Sequence, residues 1–595
     1  PAGNLLSAQN KASRYTFTYD KRDRVTNVTN AVIPGSEPIA LGYKYDKTGQ
    51  IISVGDNFGT TVQSTYNSLN QVISQTWQAT DGDTARLDIS YNGAGDRTQL
   101  KRFSDIAGTQ LVSGTTFEYA PIAESTVLKA RAYNSRGDFA QLEQLLNVGN
   151  NSLSNNGYTS EDVLQPENNS LKRIIEINHT NASGAEVAAY KNSYDLAGQI
   201  ISESYKAQTN EFSYDINGQL ITANRSNLPD ENYIYDANGN PVGQGYVIGK
   251  NNQILSDGSF NYTYDAEGNV LTKTRITNNE VTEYTYNHRN QLIAVTSKDA
   301  SGKASQEAEF IYDVFDRRIA KIVDKNVTYF IHDGDNIWAE FDGTAEVVAR
   351  YFNESDIDGL VARYRPNEGI GWYLKDRLGT VRDIVDNTGQ LINQLDYSSF
   401  GQIIAGTNPI VGDRFGFTGR EYDEKTGLYY YRARYYDPNL GRFISQDPMG
   451  FEAGDTNLYR YVNNSPLNGI DPTGLVSLSE YNKLVSTVVA AVRKCLTSIS
   501  AGNVQNILES GVYLFLLEDG RWYVGQTNDF NRRFNEHKAK KIISETIQKI
   551  PFPVDDKFKL RQVEQYLYDV VDSVIGGQKR NLIKPLSPKK PKLPC

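Results

Sequence analysis

Ten times in its first 313 residues the chain repeats one small pattern, a Tyr-Asp or Tyr-Asn pair followed by a turn and an apolar pair. The copies begin at Tyr19, Tyr45, Tyr66, Tyr91, Tyr194, Tyr214, Tyr235, Tyr264, Tyr286 and Tyr312, and apart from the gap between Tyr91 and Tyr194 neighbouring copies lie 20 to 29 residues apart. Each reads as strand, turn, strand. In Phe212-Ser213-Tyr214-Asp215-Ile216-Asn217-Gly218-Gln219-Leu220-Ile221 the Asn-Gly pair is expected to supply the positive φ angles of a hairpin turn. Asp at the strand end can accept bonds from the turn amides, and Tyr can bury its ring while its hydroxyl stays paired. One such hairpin cannot bury a face by itself, so the copies must stack into an array.

Composition agrees with a repeat architecture. At 595 residues the chain is too long for one core, and 48 Gly, 39 Tyr, a single Met and 39% hydrophobic residues point to a β-rich protein. No apolar run is long enough to span a bilayer and no signal peptide opens the sequence, which starts at Pro1 and so reads as a fragment or processed product. Cys495 and Cys595 are spaced for neither a disulfide framework nor a metal cluster. The repeat lapses between about 121 and 190, where 149–169 is rich in Asn and Ser and reads as a loop or insertion. The Arg136-Gly137-Asp138 triplet in that lapse is too common a combination to support receptor binding.

The ten copies resemble the YD repeats of Rhs proteins, insecticidal toxin-complex subunits and teneurins, which implies a β-sheet wound spirally into a hollow shell over residues 1–371. From 372 to 475 the character changes. Asp376-Arg377-Leu378-Gly379-Thr380, Gly419-Arg420-Glu421-Tyr422-Asp423, Arg432-Ala433-Arg434-Tyr435-Tyr436-Asp437-Pro438 and Gly441-Arg442-Phe443 are followed by Asp447-Pro448, Asn463-Asn464-Ser465-Pro466 and Asp471-Pro472-Thr473-Gly474-Leu475. This series resembles the Rhs-associated core. The resemblance implies that the core cuts its own chain between Leu475 and Val476, using Asp447, Asp471 and Arg434. Two carboxylates brought together cannot both ionise, so one serves as acid and the other as base, and an arginine can steady the charged partner.

Charge divides at the same place. Val476–Cys595 holds 19 Lys+Arg against 12 Asp+Glu, a net of +7, while the whole chain is at −10, which leaves −17 for the rest. A basic domain of this kind is drawn to a phosphate backbone. Inside it, two short apolar runs at 511–517 and 521–525 flank Glu518-Asp519-Gly520, a hairpin signal that puts Tyr513 and Tyr523 on neighbouring strands. Helical composition over 529–541 sets Arg533 and His537 four apart on one face. A second stripe over 558–575 carries Glu564 at its edge, and Asn581 follows the Gly576-Gly577 break. An amphipathic segment at 478–496 can pack on the rest of this domain or on the shell, and the Lys-rich tail at 588–592 reads as an unstructured end.

Gly511-Val512-Tyr513, Tyr523-Val524-Gly525, Arg533, His537, Glu564 and Asn581 resemble the GIY-YIG nucleases in type, order and spacing. That likeness implies phosphodiester hydrolysis with one divalent metal, Mg²⁺ or Mn²⁺, held by Glu564. It also implies that Arg533 neutralises charge on the phosphate, that Tyr513 or Tyr523 takes a proton from water, and that His537 and Asn581 assist. Val replaces the middle Ile of both triplets, and Gln526 stands where some relatives carry Lys. Which tyrosine is the base stays open.

The expected fold is mainly β: a shell of stacked hairpins, a core at 372–475 and a small α/β domain at 476–595. The expected function is a toxin that encloses, cuts free and releases a nuclease acting on nucleic acid, DNA in preference to RNA, in a target cell. By family, its partners are a second chain or upstream part that completes the shell, a secretion or pore machine, and an immunity protein. It would be made in a bacterial cytoplasm and then secreted or delivered. The alternatives are a surface recognition protein with an inert tail and a structural container.

Overall fold

The structure, a computed structural model, describes residues 3–79, 82–121 and 172–475 apart from 196, 207, 244, 355 and 408–412. It also describes the strand backbones at 511–517, 522–527, 543–551 and 582–583. The chain divides into two compact units, Pro1–Leu475 and Val476–Cys595. Among the described residues the first unit holds two 16-stranded antiparallel sheets. One runs from β1 (Ser7–Gln9) to β16 (Glu231–Asn232), the other from β17 (Tyr246–Ile248) to β32 (Ile403–Gly406). Every strand pairs with its neighbours in sequence, the topology that a run of hairpins dictates.

The turns differ in one respect from the two-residue Asn-Gly loop read from sequence. At Asp215 the amide of Gly218 donates to the Asp215 carbonyl at 3.0 Å and that of Asp215 to the Gln219 carbonyl at 2.9 Å, and in this loop only Gly218 has positive φ, at 79°. The loop is therefore a turn closed by one left-handed bulge residue, and a register shift at Ser213/Tyr214 records the bulge. Asp215 Oδ1 accepts the amides of Asn217 and Gln219, both at 2.9 Å, and so satisfies the loop's inward donors. The same bonds recur where no Tyr precedes the turn, at Asp56, Asn181, Asp299, Asp342, Asp376 and Asp386. The aspartate turn is thus the underlying unit, and the tyrosine is an addition to it. The lapse in the pattern is also shorter than the sequence suggests. Lys172–Asn181 and Glu186–Tyr194 form an ordinary hairpin, and Leu111–Pro121 pairs directly with Lys172–Asn181. Residues 149–169 lie outside the described residues.

The tyrosines form a ladder along the strips. The hydroxyls of Tyr45, Tyr66, Tyr91, Tyr194, Tyr214 and Tyr312 donate to the carbonyls of Val25, Ile51, Val72, Ile174, Ile200 and Leu292 at 2.6–2.9 Å. Each ring thus packs while its one polar atom reaches back to the preceding copy.

The two sheets share no strand pairing among the described residues, and side chains join them. Tyr15 donates to Asp313 and Tyr43 to Asp333, both at 2.8 Å, Trp338 Nε1 to Asp56 at 2.8 Å and Tyr190 to Asp383 at 3.1 Å. Arg97 pairs with Glu354 at 2.6 Å. Partner numbers rise together along both sheets, so the strips run side by side in the same direction. An apolar core shared between them includes Leu41, Trp77 and Leu87 from one strip and Ile331, Trp338, Phe341 and Trp372 from the other. About 25 cal/mol per Å² of apolar burial makes this joint strong without strand pairing across it among the described residues.

After the second strip, a four-stranded sheet is formed by β33 (Glu421–Asp423), β34 (Leu428–Tyr431), β35 (Arg434–Asp437) and β36 (Arg442–Phe443). Almost every residue of these strands is buried. Its charges are paired, as burial requires. Arg318, fully buried, meets Glu421 at 2.7 Å and also Asp423, and Lys273 meets Asp437 at 2.9 Å. Burial alone would raise Glu421, but Arg414 and Arg318 hold it well below the usual carboxylate range.

In the second unit the described strands β37 (Gly511–Leu517), β38 (Trp522–Thr527), β39 (Ile543–Pro551) and β40 (Leu582–Ile583) form a sheet in the order β39-β37-β38-β40. β38 and β40 are parallel, and the other pairs are antiparallel.

A candidate self-cleavage site and a candidate nuclease sheet

β34 and β35 are joined by a two-residue link, Arg432-Ala433, with Tyr431 opposite Arg434. This tight hairpin carries Arg434 into the interior, where it is only 4% exposed. There its Nη2 lies 3.0 Å from Asp447 Oδ2 and 3.3 Å from Asp471 Oδ2, so both carboxylates converge on one nitrogen. Nε donates to the Gly474 carbonyl, and Nη1 donates to the Leu458 carbonyl at 3.1 Å. The guanidinium lies 3.6 Å from the centre of the Phe443 ring. Burial pulls Arg434 below its ordinary value, while Asp447 and Asp471 oppose that shift.

Asp471 begins a turn that binds its own chain. Its Oδ1 accepts the amides of Gly474 at 2.9 Å and Leu475 at 3.1 Å. Gly474 has φ of +71°, and a Cβ there would meet the Tyr431 carbonyl oxygen at 2.3 Å, so no other residue fits. Asp447 Oδ1 accepts the Met449 amide at 2.8 Å. Leu475 lines a cavity of about 200 Å³ together with Arg434, Pro448, Tyr286 and Tyr312. Arg434, Asp447, Asp471 and Leu475, singled out from the motifs, are thus adjacent in space, and Val476 lies outside the described residues. The sequence reading missed Arg432, whose guanidinium donates to the Pro472 carbonyl.

In the second sheet, Tyr513 stands opposite Gly525 and Phe515 opposite Tyr523. This register puts positions 513 and 523 on adjacent strands and on the same side of the ladder. Arg533, His537, Glu564 and Asn581 lie outside the described residues, as do both expected helices. The strand Ile543–Pro551 was not read from the sequence, although its β-branched Ile543, Thr546, Ile547 and Ile550 carried a signal. Among the described residues no group of three His, Cys, Asp or Glu side chains is placed to hold a metal.

Residues 110–467 match the teneurin YD-shell family. The chain belongs to that family. Residues 509–569 of this YD-shell protein match the GIY-YIG catalytic domain. The chain is similar to the double-stranded DNA deaminase toxin A of Burkholderia cenocepacia (strain H111), with 27% identity over 79% of this chain and 33% of the relative. It is similar also to the tRNA3(Ser)-specific nuclease WapA of Bacillus spizizenii, with 33% identity over 45% of this chain and 10% of the relative. In fold it resembles the crystal structure of TcdB2-TccC3-Cdc42, with a TM-score of 0.54 and 17% identity over 79% of this chain and 24% of that one. The YD-shell chain therefore spans a third or less of the length of these relatives. No described helix is long and apolar enough to cross a membrane.

Proposed function

We propose that this YD-shell protein is a toxin that cuts its own chain after Leu475 and so frees a GIY-YIG nuclease, residues 476–595, to act on nucleic acid in a target cell. The convergence of Asp447 and Asp471 on Arg434, with the Asp471 side chain holding the amide of Leu475, carries this reading. One carboxylate takes a proton from water as the oxygen adds to the Leu475 carbonyl carbon. The other gives a proton to the Val476 nitrogen as the C–N bond breaks, leaving a carboxylate on one fragment and an amine on the other. Arg434 keeps the pair from repelling and holds the neighbouring Gly474 carbonyl.

In the released domain, Tyr513 or Tyr523 would accept a proton from the attacking water. Arg533 would offset charge on the phosphate, and His537 and Asn581 would relay and orient. Glu564, with phosphate and water oxygens, offers the hard donors that suit Mg²⁺ or Mn²⁺, and such an ion would supply charge compensation at the phosphate. DNA is the preferred substrate of this reading. A partner chain or further sequence would complete the shell, a delivery machine would carry it, and an immunity protein would protect the producer.

The purified full-length chain should appear as two fragments that stay together, divided at 475/476, and Asp447→Asn should give one intact band. Equal cutting in both would sink the self-cleavage reading. The cleaved protein, unfolded and refolded with Mg²⁺, should digest plasmid, whereas Glu564→Ala should not. Wild-type digestion by Glu564→Ala would remove the metal assignment.

A further inference from the structure

Three consecutive residues grip three consecutive carbonyls beside the bond proposed to break. Arg432 donates through its guanidinium to the Pro472 carbonyl, Ala433 donates its amide to the Thr473 carbonyl at 3.1 Å, and Arg434 donates through Nε to the Gly474 carbonyl. The next carbonyl along is that of Leu475. We propose that Arg432 is a positioning residue that fixes the register of the 472–475 segment, so that the Leu475–Val476 bond and no other is presented for hydrolysis. This inference rests on the self-cleavage reading and adds the determinant of where the cut falls.

Three observations support it. First, Arg432 is held independently of the segment it grips: its Nη2 donates to Asp358 Oδ1 at 2.8 Å and to the Asp335 carbonyl at 3.0 Å. Both anchors belong to the second strip, and Asp358 is itself fixed by Arg420. Second, Arg432 has φ of +57°, the left-handed region, at the first position of a two-residue hairpin link, where glycine would be relaxed. A strained residue persists where its side chain has a use, and here that use is the Pro472 carbonyl. Third, Arg434 and the Asp471 turn hold the segment at Asp471, Gly474 and Leu475. Arg432 is the side chain that holds it at Pro472 and ties that point to the second strip.

The test is made on the full-length chain with Arg432→Gly, which suits the left-handed backbone and removes the guanidinium. Intact mass of the fragments should show cutting slowed about tenfold or more and new ends at more than one position around residue 476, beyond any fall in melting temperature that loss of the Asp358 pair brings. Arg432→Lys, which keeps a donor able to reach Pro472, should restore most of the single cut. One clean cut at 475/476 at the wild-type rate in Arg432→Gly would overturn the proposal. So would a lowered melting temperature accompanying a slow but still single cut, since that is the signature of a structural role. Asp447→Asn, run in parallel, separates the two levels. If the wild-type chain itself stays whole, the self-cleavage reading has failed, whereas a wild-type chain that is cut and indifferent to Arg432 leaves that reading standing and removes the register assignment alone.

Discussion

The hairpin strips and the segment at 413–475 use the same residue types to opposite ends. In the strips, Asp turns toward its own loop: Asp215 binds amides two and four residues on, at the surface. In the terminal segment the acids reach across more than a hundred residues, as Asp423 and Glu421 do to Arg318, and the strands that carry them are buried. Tyrosine uses both modes within the strips, with Tyr214 bonding one copy back and Tyr15 bonding Asp313 in the other strip. A strip built from local bonds loses little when one is removed, because each hairpin depends mainly on its neighbours. A segment built from buried long-range charges has no such tolerance.

The sharpest way to break that contrast is Arg318→Leu. It leaves Glu421 and Asp423 buried with less than their full complement of charge partners, and should lower stability by about 3–5 kcal/mol, as removal of one partner from a buried ion pair does. Urea unfolding followed by tyrosine fluorescence would measure it, and a loss below about 1 kcal/mol would mean that the terminal segment is as tolerant as a strip.

Acid should act next, through a joint between strips. His179, buried, accepts at Nδ1 from Thr115 at 2.8 Å and donates from Nε2 to the Lys375 carbonyl at 3.1 Å. Burial, helped by Arg102, drops it to about 3 from the ordinary 6.5. The folded state thus binds the proton less tightly than the unfolded one, so its contribution is whole above pH 6.5 and is lost as pH falls from there toward 3. His332, lowered to about 4 by burial and then Arg317, adds in the same direction. Asp376 opposes them: burial, followed by Glu203, raises it to about 6, so stability declines as pH rises between 4 and 6. Unfolding midpoints taken between pH 4 and 6.5 should rise with pH, and His179→Gln should flatten that rise. An unchanged slope in the variant would place the titration elsewhere.

The smallest effect belongs to the strips. Asp215→Ala removes two turn bonds from one hairpin and should cost about 1 kcal/mol, the net worth of such bonds at a surface. The same urea measurement applies, and a loss as large as that of Arg318→Leu would erase the contrast.

What could be read from sequence divides along the same line. Tyr-Asp pairs, turns and the hairpin succession are local, so ten copies exposed the strip architecture directly. Asp447, Asp471 and Arg434 were reached through motifs, and the two carboxylates lie 3.0 and 3.3 Å from one Arg434 nitrogen. Tyr43 to Asp333 and Arg432 to Asp358 were illegible, because nothing within either segment specifies which distant turn it will meet. β39 was missed for a related reason. Its residues do not alternate cleanly, and it pairs with β37 across the segment after β38. The parallel β38 and β40 contact joins residues about sixty apart, beyond any periodicity.

The seam between the strips also imposes an order in time. Hairpin bonds close loops of a few residues and form in microseconds, whereas Tyr15 meets Asp313 only after nearly three hundred residues exist. As the chain emerges, the first strip can therefore be complete while its partner strip is still unmade. Arg432 finds its two anchors, at Asp335 and Asp358, only on that second strip. A complete chain whose second strip misfolds would carry Asp447, Asp471 and the Leu475–Val476 bond without that grip, so that on the proposed mechanism scission would report a finished winding.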